Sequence, residues 1–357
     1  MALAKPFAAA ALAAAVAVLP LASVPTSRAA PADRQAMYRS EAESAKQARQ
    51  SMLDTFTERK ALYDSVSAVT GIPWFNLAAV DQYERTLSLA HPKTRPLRDG
   101  LVAIHLTEYQ WGGFLNPNHS DTNLGTIRFF DGLGRDGDGD GKADRNNDAD
   151  VLYSMADFLL RHGTSPADFD IGIWEYYQND RSVKRIKQFS KIYSAYDTLD
   201  LHRHAFILPL GGDYSYRSTW GAARSYGGYR IHEGTDLFAH HGMPVRSAAY
   251  GIVEVMGWNR YGGWRVGIRD LNNVYHYYAH LSGFNKKIKE GDIVEPGDVV
   301  GWVGSSGYGK PGTQGKFPPH LHYGLYRDNG LTEWSFDPYP HLRKWEREER
   351  NRKRSGK

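Results

Sequence analysis

The sequence predicts an α+β protein, in which a mainly helical first half precedes an antiparallel β-sheet domain. Residues 151–163 show the apolar periodicity of an amphipathic helix, and Gly163 supplies a stop signal. After about residue 205, short β-rich runs alternate with glycine turns, a spacing typical of antiparallel strands. We therefore expect the boundary between the two parts near residues 200–210.

Residues 1–30 have the layout of a signal peptide. Lys5 provides a positive start, an apolar run over 7–21 follows, and Ser27-Arg28-Ala29 is a small-x-small cleavage pattern. The run is short for a membrane-spanning helix, which needs about 20 apolar residues. We expect a secreted protein that acts at the cell wall, without stable membrane insertion after cleavage. An uncleaved anchor is the alternative.

Composition narrows the classes of function. The chain has 357 residues and no cysteine, which excludes thiolate metal ligands and a cysteine nucleophile. Its formal net charge of +4 favours an anionic surface such as a bacterial wall. The chain carries no basic-aromatic motif typical of nucleic-acid binding, so we expect no nucleic-acid partner.

The predicted domains follow from the change near residue 205, where helical periodicity gives way to short β-rich runs. They are a helical lead-in over 31–70, a helical domain over 71–205, a sheet domain over 206–342, and a charged, solvated tail over 343–357. Within the helical parts we expect helices at 77–89 and 180–198. The predicted strands are 251–256, 264–269, 274–280, 299–303 and 320–326.

Five polar residues in the last third carry the chemistry. They are His232 and Asp236 in HEGTD, His280 in YYAHL, and His320 and His322 in PPHLHYG. Two imidazoles and one carboxylate are the usual ligands of a hydrolytic zinc ion that keeps one position open. The two remaining histidines are what an acid/base pair beside the metal requires. The pattern therefore predicts a metal-dependent hydrolase.

Local geometry supports a shared site for this set. His320 and His322 are two residues apart, so on a strand both side chains point to one side while Leu321 faces the core. Gly234 lies inside HEGTD and lets that loop turn its two polar side chains towards one point.

The combined motif resembles the lysostaphin/LytM-type zinc endopeptidases, a family of peptidoglycan hydrolases. H-x-x-x-D, Y-A-H-L and P-H-L-H occur in family order, with KEGDIVEPGDVVGWVGSSG between them. The resemblance implies His232, Asp236 and His322 as zinc ligands. It implies His280 and His320 as the pair that flanks the attacking water and the oxyanion, and leaves open which is the base. It also implies a zinc cofactor and a peptidoglycan substrate, and we expect a monomer.

A narrower resemblance extends beyond the peptidase motif. GIPWFNLAAVDQYER, RIHEGTDLFA and FDPYPHLRKWER are similar to family members that act in sporulation. This implies cleavage of the L-Ala–D-Glu bond of stem peptides in cell-wall or spore-cortex maturation; a different cross-bridge bond is the alternative. Two features depart from the family: Asp270-Leu271 replaces its usual His-Gly, and the loop 307–319 is longer than usual.

Two further functions remain open at this point. Two histidines and a carboxylate also bind Fe(II) in non-haem oxygenases, although the H-x-x-x-D spacing and the HLH pair favour zinc. The second alternative is a wall-binding protein that has lost catalysis. The presence of all five polar residues argues against this alternative.

An Asp/Gly-rich stretch in the first half predicts a structural calcium ion. Its carboxylates at positions one, three, five and nine are Asp136, Asp138, Asp140 and Asp144. Gly141 at the sixth position completes the opening of an EF-hand-type loop. Position twelve is Asn147 rather than Glu, and Asp148 or Asp150 would have to substitute. An acidic surface loop is the alternative.

Two stretches of the first half read IPWFNLAAVDQYERT and DGDGDGKADRNNDADVLYSMADFLLRHG. They resemble parts of the lysozyme-like lytic transglycosylase fold. Glu84 falls where that family has its acid, and a buried carboxyl with a raised pKa can protonate a glycosidic oxygen. We favour a degenerate domain that recognises glycan or packs on the peptidase. An active glycosidase through Glu84 is the alternative, and a plain helix-surface carboxylate is another.

Overall fold

The computed structural model describes residues 31–226 and 228–355, so the predicted signal peptide lies outside the described residues. The chain divides into compact units of residues 1–51 and 52–357. In the first unit only the opening of one helix is described. Among the described residues, none of the helices combines the length and apolar character needed to cross a bilayer.

The helical part occupies residues 31–196. Its helices are α1 (Pro31–Thr70), α2 (Trp74–Ala90), α3 (Glu108–Gly112), α4 (Leu124–Phe129), α5 (Asp148–Leu159), α6 (Pro166–Tyr177) and α7 (Asp180–Tyr196). The helix predicted over 151–163 is α5 followed by a single 3-10 turn, Leu160–His162. Helix α6 begins with a capping box, in which Ser165 and Asp168 satisfy each other's backbone N–H groups.

Helices α2 and α7 supply the centre of the helical core. Leu77 and Val80 of α2, and Ile186 and Phe189 of α7, are at most 1% exposed. Full burial of such a side chain stabilises a fold by about 1.5–3 kcal/mol. This core also includes Leu271 from the sheet part, which ties the two parts of the second unit together.

The sheet part follows in residues 214–336. Its strands are β1 (Tyr214–Tyr216), β2 (Ala223–Arg224), β3 (Arg230–Ile231), β4 (Thr235–Ala239), β5 (Pro244–Arg246), β6 (Gly251–Asn259), β7 (Gly263–Asp270), β8 (Val274–Phe284), β9 (Ile293–Val294), β10 (Val299–Val303), β11 (His320–Asp328) and β12 (Glu333–Phe336). The main sheet is antiparallel in the order β1-β4-β11-β8-β7-β6-β9. Strands β10 and β12 pair with β8 and β11, while β2 and β3 form a separate ribbon.

Strand β11 shows the predicted two-residue alternation. Leu321, Tyr323 and Leu325 are at most 1% exposed and lie in the sheet core. The intervening His320 and His322 therefore project to the opposite face, where the pocket described below is located.

The last described element is helix α8 (Tyr339–Arg354), which packs against the sheet part. The predicted solvated tail over 343–357 is therefore wrong for Trp345, which is 4% exposed in the sheet core. Glu346, one residue further, accepts hydrogen bonds from the hydroxyl groups of Tyr214 and Tyr216. Because the buried residues recur on one helical face, the charged composition hid an amphipathic helix.

The Asp270-Leu271 turn, which departs from the family pattern, joins the sheet to the helices. Leu271 is 2% exposed, and its carbonyl oxygen accepts a hydrogen bond of 2.8 Å from Nε2 of Gln82 in α2. Asp270 is buried and accepts from the backbone N–H of Val274 and from His276. The substitution thus serves packing rather than the pocket.

Candidate metal centre

Strand pairing brings two of the predicted ligands together. Strands β4 and β11 are antiparallel neighbours, and their register places His322 directly opposite Asp236. His232 precedes β4 and returns to the same point through Gly234. An added Cβ on Gly234 would lie 2.6 Å from Cε1 of His322. Any residue other than glycine would therefore displace this imidazole.

The three ligand atoms form a tight triangle. Nε2 of His232 lies 2.9 Å from Nδ1 of His322, and Oδ1 of Asp236 lies 3.1 Å from each of these nitrogens. Ligands of a tetrahedral zinc ion, with bonds of about 2.0–2.1 Å, are separated by about 3.3 Å. Lone-pair atoms this close repel one another unless a cation or protons lie between them. The donor set therefore fits a divalent metal.

Neighbouring groups orient the ligands. Nδ1 of His232 lies 2.9 Å from the carbonyl oxygen of Thr219, which fixes Nδ1 as the donor and leaves Nε2 free to bind a metal. Nη2 of Arg224 donates to Oδ2 of Asp236 over 2.5 Å, so only the other oxygen faces the histidines. Burial alone would raise the pKa of Asp236, but hydrogen bonds and charge from His232 and His322 in their protonated forms outweigh it and hold this pKa well below its usual range. A bound cation would take the place of these protons.

His280 and His320 form a second pair beside this triangle, with ring centroids 4.7 Å apart. Nδ1 of His280 lies 2.7 Å from the carbonyl oxygen of Ser306, and Nδ1 of His320 lies 2.7 Å from that of Pro318. Each Nδ1–H therefore donates, and each Nε2 is left with a free lone pair. Burial, with His320 as a neighbour, lowers the pKa of His280 to about 3.

The backbone of His280 has a φ of +62°, in the left-handed region that non-glycine residues rarely adopt. The pairing of β8 with β7 and with β10 shifts register beside this residue. Strain of this kind costs about 1–3 kcal/mol and occurs often at functional sites.

All five polar residues line one pocket of about 380 Å³. Tyr277 and Tyr308 also line it, whereas Tyr278 is fully buried in the sheet core. Tyr308 belongs to the long 307–319 loop and stacks on His280 at 5.6 Å. The extra loop therefore shapes the pocket.

The sequence interpretation missed two arginines of this pocket, Arg224 and Arg230. A signal for the second was present, because Arg230 lies two residues before His232 and alternation puts both side chains on one side. No such local signal exists for Arg224, which arrives from the opposite strand of the ribbon.

The Asp-rich loop gathers a different set of carboxylates from the predicted one. Oxygens of Asp136, Asp138 and Asp150 lie within 4.8 Å of one another. Asp140 and Asp144 lie outside this group and accept hydrogen bonds from nearby backbone N–H groups.

Hydrogen bonds within the loop already satisfy much of this group. The carboxylate of Asp136 accepts from the N–H groups of Gly139 and Gly141, at 2.6 and 2.8 Å. Asp148, the other substitute considered, pairs instead with Arg98. Calcium binding by this loop stays a prediction from the sequence.

Glu84 is fully buried rather than on a helix surface. It forms an ion pair with Arg95 and accepts hydrogen bonds from the hydroxyl of Tyr177, at 2.6 Å, and from the N–H of His105, at 3.3 Å. Burial raises its pKa, and Arg95 partly offsets this effect. In this conformation the carboxyl cannot contact a sugar.

Comparison with known proteins identifies the family of this chain. Residues 230–337 match the sequence profile of Peptidase family M23. An L-Ala–D-Glu endopeptidase of Bacillus subtilis is 58% identical over 298 residues, covering 84% of this chain and 91% of that protein. The chain belongs to Peptidase family M23. It is therefore a zinc metallopeptidase, and its relatives are peptidases that include peptidoglycan hydrolases.

The lysostaphins match a smaller share of the chain. Lysostaphin of Staphylococcus simulans is 34% identical over 115 residues, which is 32% of this chain and 22% of that protein. The solved catalytic domain of the same lysostaphin is 30% identical, with a TM-score of 0.29, and covers 37% of this chain and 92% of that domain. The M23 profile, which matches residues 230–337, includes the metal centre and none of the helices α1 to α7.

Proposed function

We propose that this chain is an exported zinc endopeptidase that hydrolyses the L-Ala–D-Glu bond of peptidoglycan stem peptides, in cell-wall or spore-cortex maturation. The convergence of His232, Asp236 and His322 within 3.1 Å carries the metal assignment. Identity of 58% with an L-Ala–D-Glu endopeptidase, over both the helical and the sheet parts, supports the choice of bond.

His232, Asp236 and His322 would hold the zinc ion through Nε2, Oδ1 and Nδ1. The ion would supply Lewis-acid polarisation of the scissile carbonyl and make the attacking water more acidic. Thr219 and Arg224 keep the ligand atoms aimed at one point, which is the part that outer hydrogen-bond partners play in metal sites.

His280 and His320 handle the proton and the developing oxyanion. Both present a free Nε2 because their Nδ1–H groups donate to backbone carbonyls, at 2.7 Å each. A neutral imidazole can accept the proton of the attacking water, and a protonated one can stabilise the oxyanion or protonate the leaving amine. Their ring separation of 4.7 Å allows both to contact one reacting group.

Digestion of purified peptidoglycan tests the proposed bond. The protein is incubated with sacculi, and the new amino and carboxyl termini are identified by mass spectrometry. We expect D-Glu as the new amino terminus and L-Ala as the residue left on the glycan. New termini at glycine cross-bridges or at D-Ala, with none at D-Glu, would assign the enzyme a different bond.

A further inference from the structure

Arg230 is a half-buried cation in the wall of the metal pocket. It lies on β3, two residues before His232, and faces Arg224 directly across the β2–β3 ribbon. Like charges opposite each other destabilise a ribbon, so ribbon stability does not account for two arginines at this position.

The two arginines differ in their partners. Arg224 is neutralised by Asp236, whereas no carboxylate of the described residues lies within 4.0 Å of a guanidinium nitrogen of Arg230. Instead Nη1 of Arg230 donates to the carbonyl oxygen of Tyr226 at 2.7 Å, and Nη2 donates to the hydroxyl of Tyr308 at 3.3 Å. These neutral contacts fix the guanidinium without cancelling its charge.

Aromatic rings help to hold the same group. The guanidinium carbon of Arg230 lies 5.7 Å from the ring centroid of Tyr261 and 6.0 Å from that of Tyr308, within the range of cation–π attraction. Tyr308 in turn stacks on His280. A single tyrosine therefore links the unpaired cation to the histidine pair.

The charge of the whole pocket points in the same direction. Its lining contains two arginines and two carboxylates, those of Glu233 and Asp236. A bound divalent cation would make the wall positive overall, which favours a negatively charged substrate group. Of the two arginines in this wall, Arg230 is the one whose charge is available to a negatively charged substrate group, because Asp236 neutralises Arg224.

The proposed substrate supplies such a group beside the scissile bond. D-Glu contributes the nitrogen of that bond and carries two carboxyl groups. When one of them continues the stem peptide, the other remains a free carboxylate. Arginine presents paired N–H donors that match a carboxylate, and charge-assisted hydrogen bonds of this kind are the strong ones.

We propose that Arg230 binds the free carboxylate of the residue on the amine side of the scissile bond, and so determines the preference for an acidic residue at that position. This inference rests on the proposed function. Tyr308 is a positioning residue in it, since its hydroxyl holds the guanidinium while its ring lies on His280.

The test compares two peptides that differ only in this carboxylate. One is an acylated L-Ala–D-Glu stem peptide, and the other has the free carboxylate replaced by a carboxamide. Wild type, Arg230→Gln and Arg230→Lys are compared by kcat and KM on both peptides, with zinc content measured for each protein. Arg260→Gln is the matched control, because Arg260 is exposed and does not line the pocket.

We expect wild type and Arg260→Gln to prefer the acidic peptide by about 10- to 100-fold in kcat/KM, the value of a charge-assisted hydrogen bond. Arg230→Gln loses this preference because its kcat/KM falls on the acidic peptide and stays unchanged on the carboxamide. Arg230→Lys restores part of the preference. Equal losses of kcat/KM on both peptides in Arg230→Gln would show that Arg230 has a structural role. An unchanged preference would show that Arg230 does not contact the carboxylate. Either result overturns the proposal.

A binding measurement separates this proposal from the proposed bond. The His320→Ala protein, in which we expect cleavage to be greatly slowed, is titrated with each peptide by calorimetry, with and without Arg230→Gln. If wild type cuts elsewhere but the preference for the acidic peptide disappears with Arg230→Gln, the bond assignment fails and Arg230 remains an anion receptor. If wild type cuts at D-Glu and binding shows no such preference, the receptor fails alone.

Discussion

Two buried carboxylates, Glu84 in the helical part and Asp236 in the sheet part, differ in what surrounds their oxygens. Glu84 is enclosed, and its carboxylate oxygens are paired with Arg95 and hydrogen-bonded to Tyr177 and a backbone N–H. Asp236 is also buried, yet one of its oxygens meets two imidazole nitrogens at the edge of an open pocket.

This contrast shows that burial with a shifted pKa does not by itself mark an active site. The pKa of Glu84 is raised and that of Asp236 is lowered, and both shifts follow from local partners. What distinguishes the metal centre is a set of lone pairs aimed at one point beside a cavity. The predictions below test this difference, from the largest expected effect on activity to the smallest.

Removal of one ligand should abolish the centre. His322→Ala leaves one imidazole and one carboxylate, too few to hold a hydrolytic zinc ion, so zinc content and cleavage should both fall to background. Elemental analysis and a peptidoglycan digestion measure the two losses. His241→Ala, a change at an exposed histidine, serves as the control and should bind zinc and cleave normally. Full zinc occupancy in His322→Ala would remove this residue from the ligand set.

His320→Ala should separate metal binding from proton transfer. The ligand triangle is untouched, so zinc stays bound, while loss of a general acid/base lowers kcat by about 10²–10⁴-fold. Single-turnover cleavage and zinc content of the same preparation make the comparison. A rate close to wild type would reject an acid/base function for His320.

Gly234→Ala should damage the centre without changing a ligand. The new Cβ would lie 2.6 Å from both Cε1 of His322 and the carbonyl oxygen of Tyr323, so one of them must move. We expect zinc affinity to fall about 10- to 100-fold, as it does when groups behind a ligand are disturbed. Competition with a chelator measures it. Gly211→Ala, where an added Cβ meets nothing within 4 Å, is the control, and equal affinities in the two variants would contradict the crowding.

Glu84→Gln should change stability and leave peptide cleavage alone. Breaking a buried ion pair by removing one partner costs about 3 kcal/mol, because the Arg95 charge loses its counter-ion. Urea unfolding measures this loss, and kcat/KM of the folded protein should stay within about twofold, since Glu84 does not line the metal pocket. Glu108→Gln removes an exposed pair with Arg145 and should cost at most about 1 kcal/mol. Release of new sugar ends by wild type, lost in Glu84→Gln, would restore the glycosidase interpretation.

Local patterns explain which features the sequence predicts well. The strand carrying His320 and His322 could be read from alternation, and Gly234 marked the turn, because both signals act over a few residues. Which strands would be neighbours is a long-range property. The opposition of His322 and Asp236 across β4 and β11 became visible only in the structure.

The missed features are those that depend on distant packing. Trp345 belongs to a segment whose charge suggests solvent, and its burial depends on the sheet surface it covers. Arg224 enters the metal pocket from the facing strand of the β2–β3 ribbon. None of these follows from spacing along the chain.

Anomalous diffraction at the zinc edge tests the metal centre most directly. We expect a single strong peak, within about 2.0–2.1 Å of Nε2 of His232, Nδ1 of His322 and Oδ1 of Asp236. A peak at the carboxylates of Asp136 and Asp150 instead, or zinc-loaded active crystals with no peak beside His322, would contradict the account.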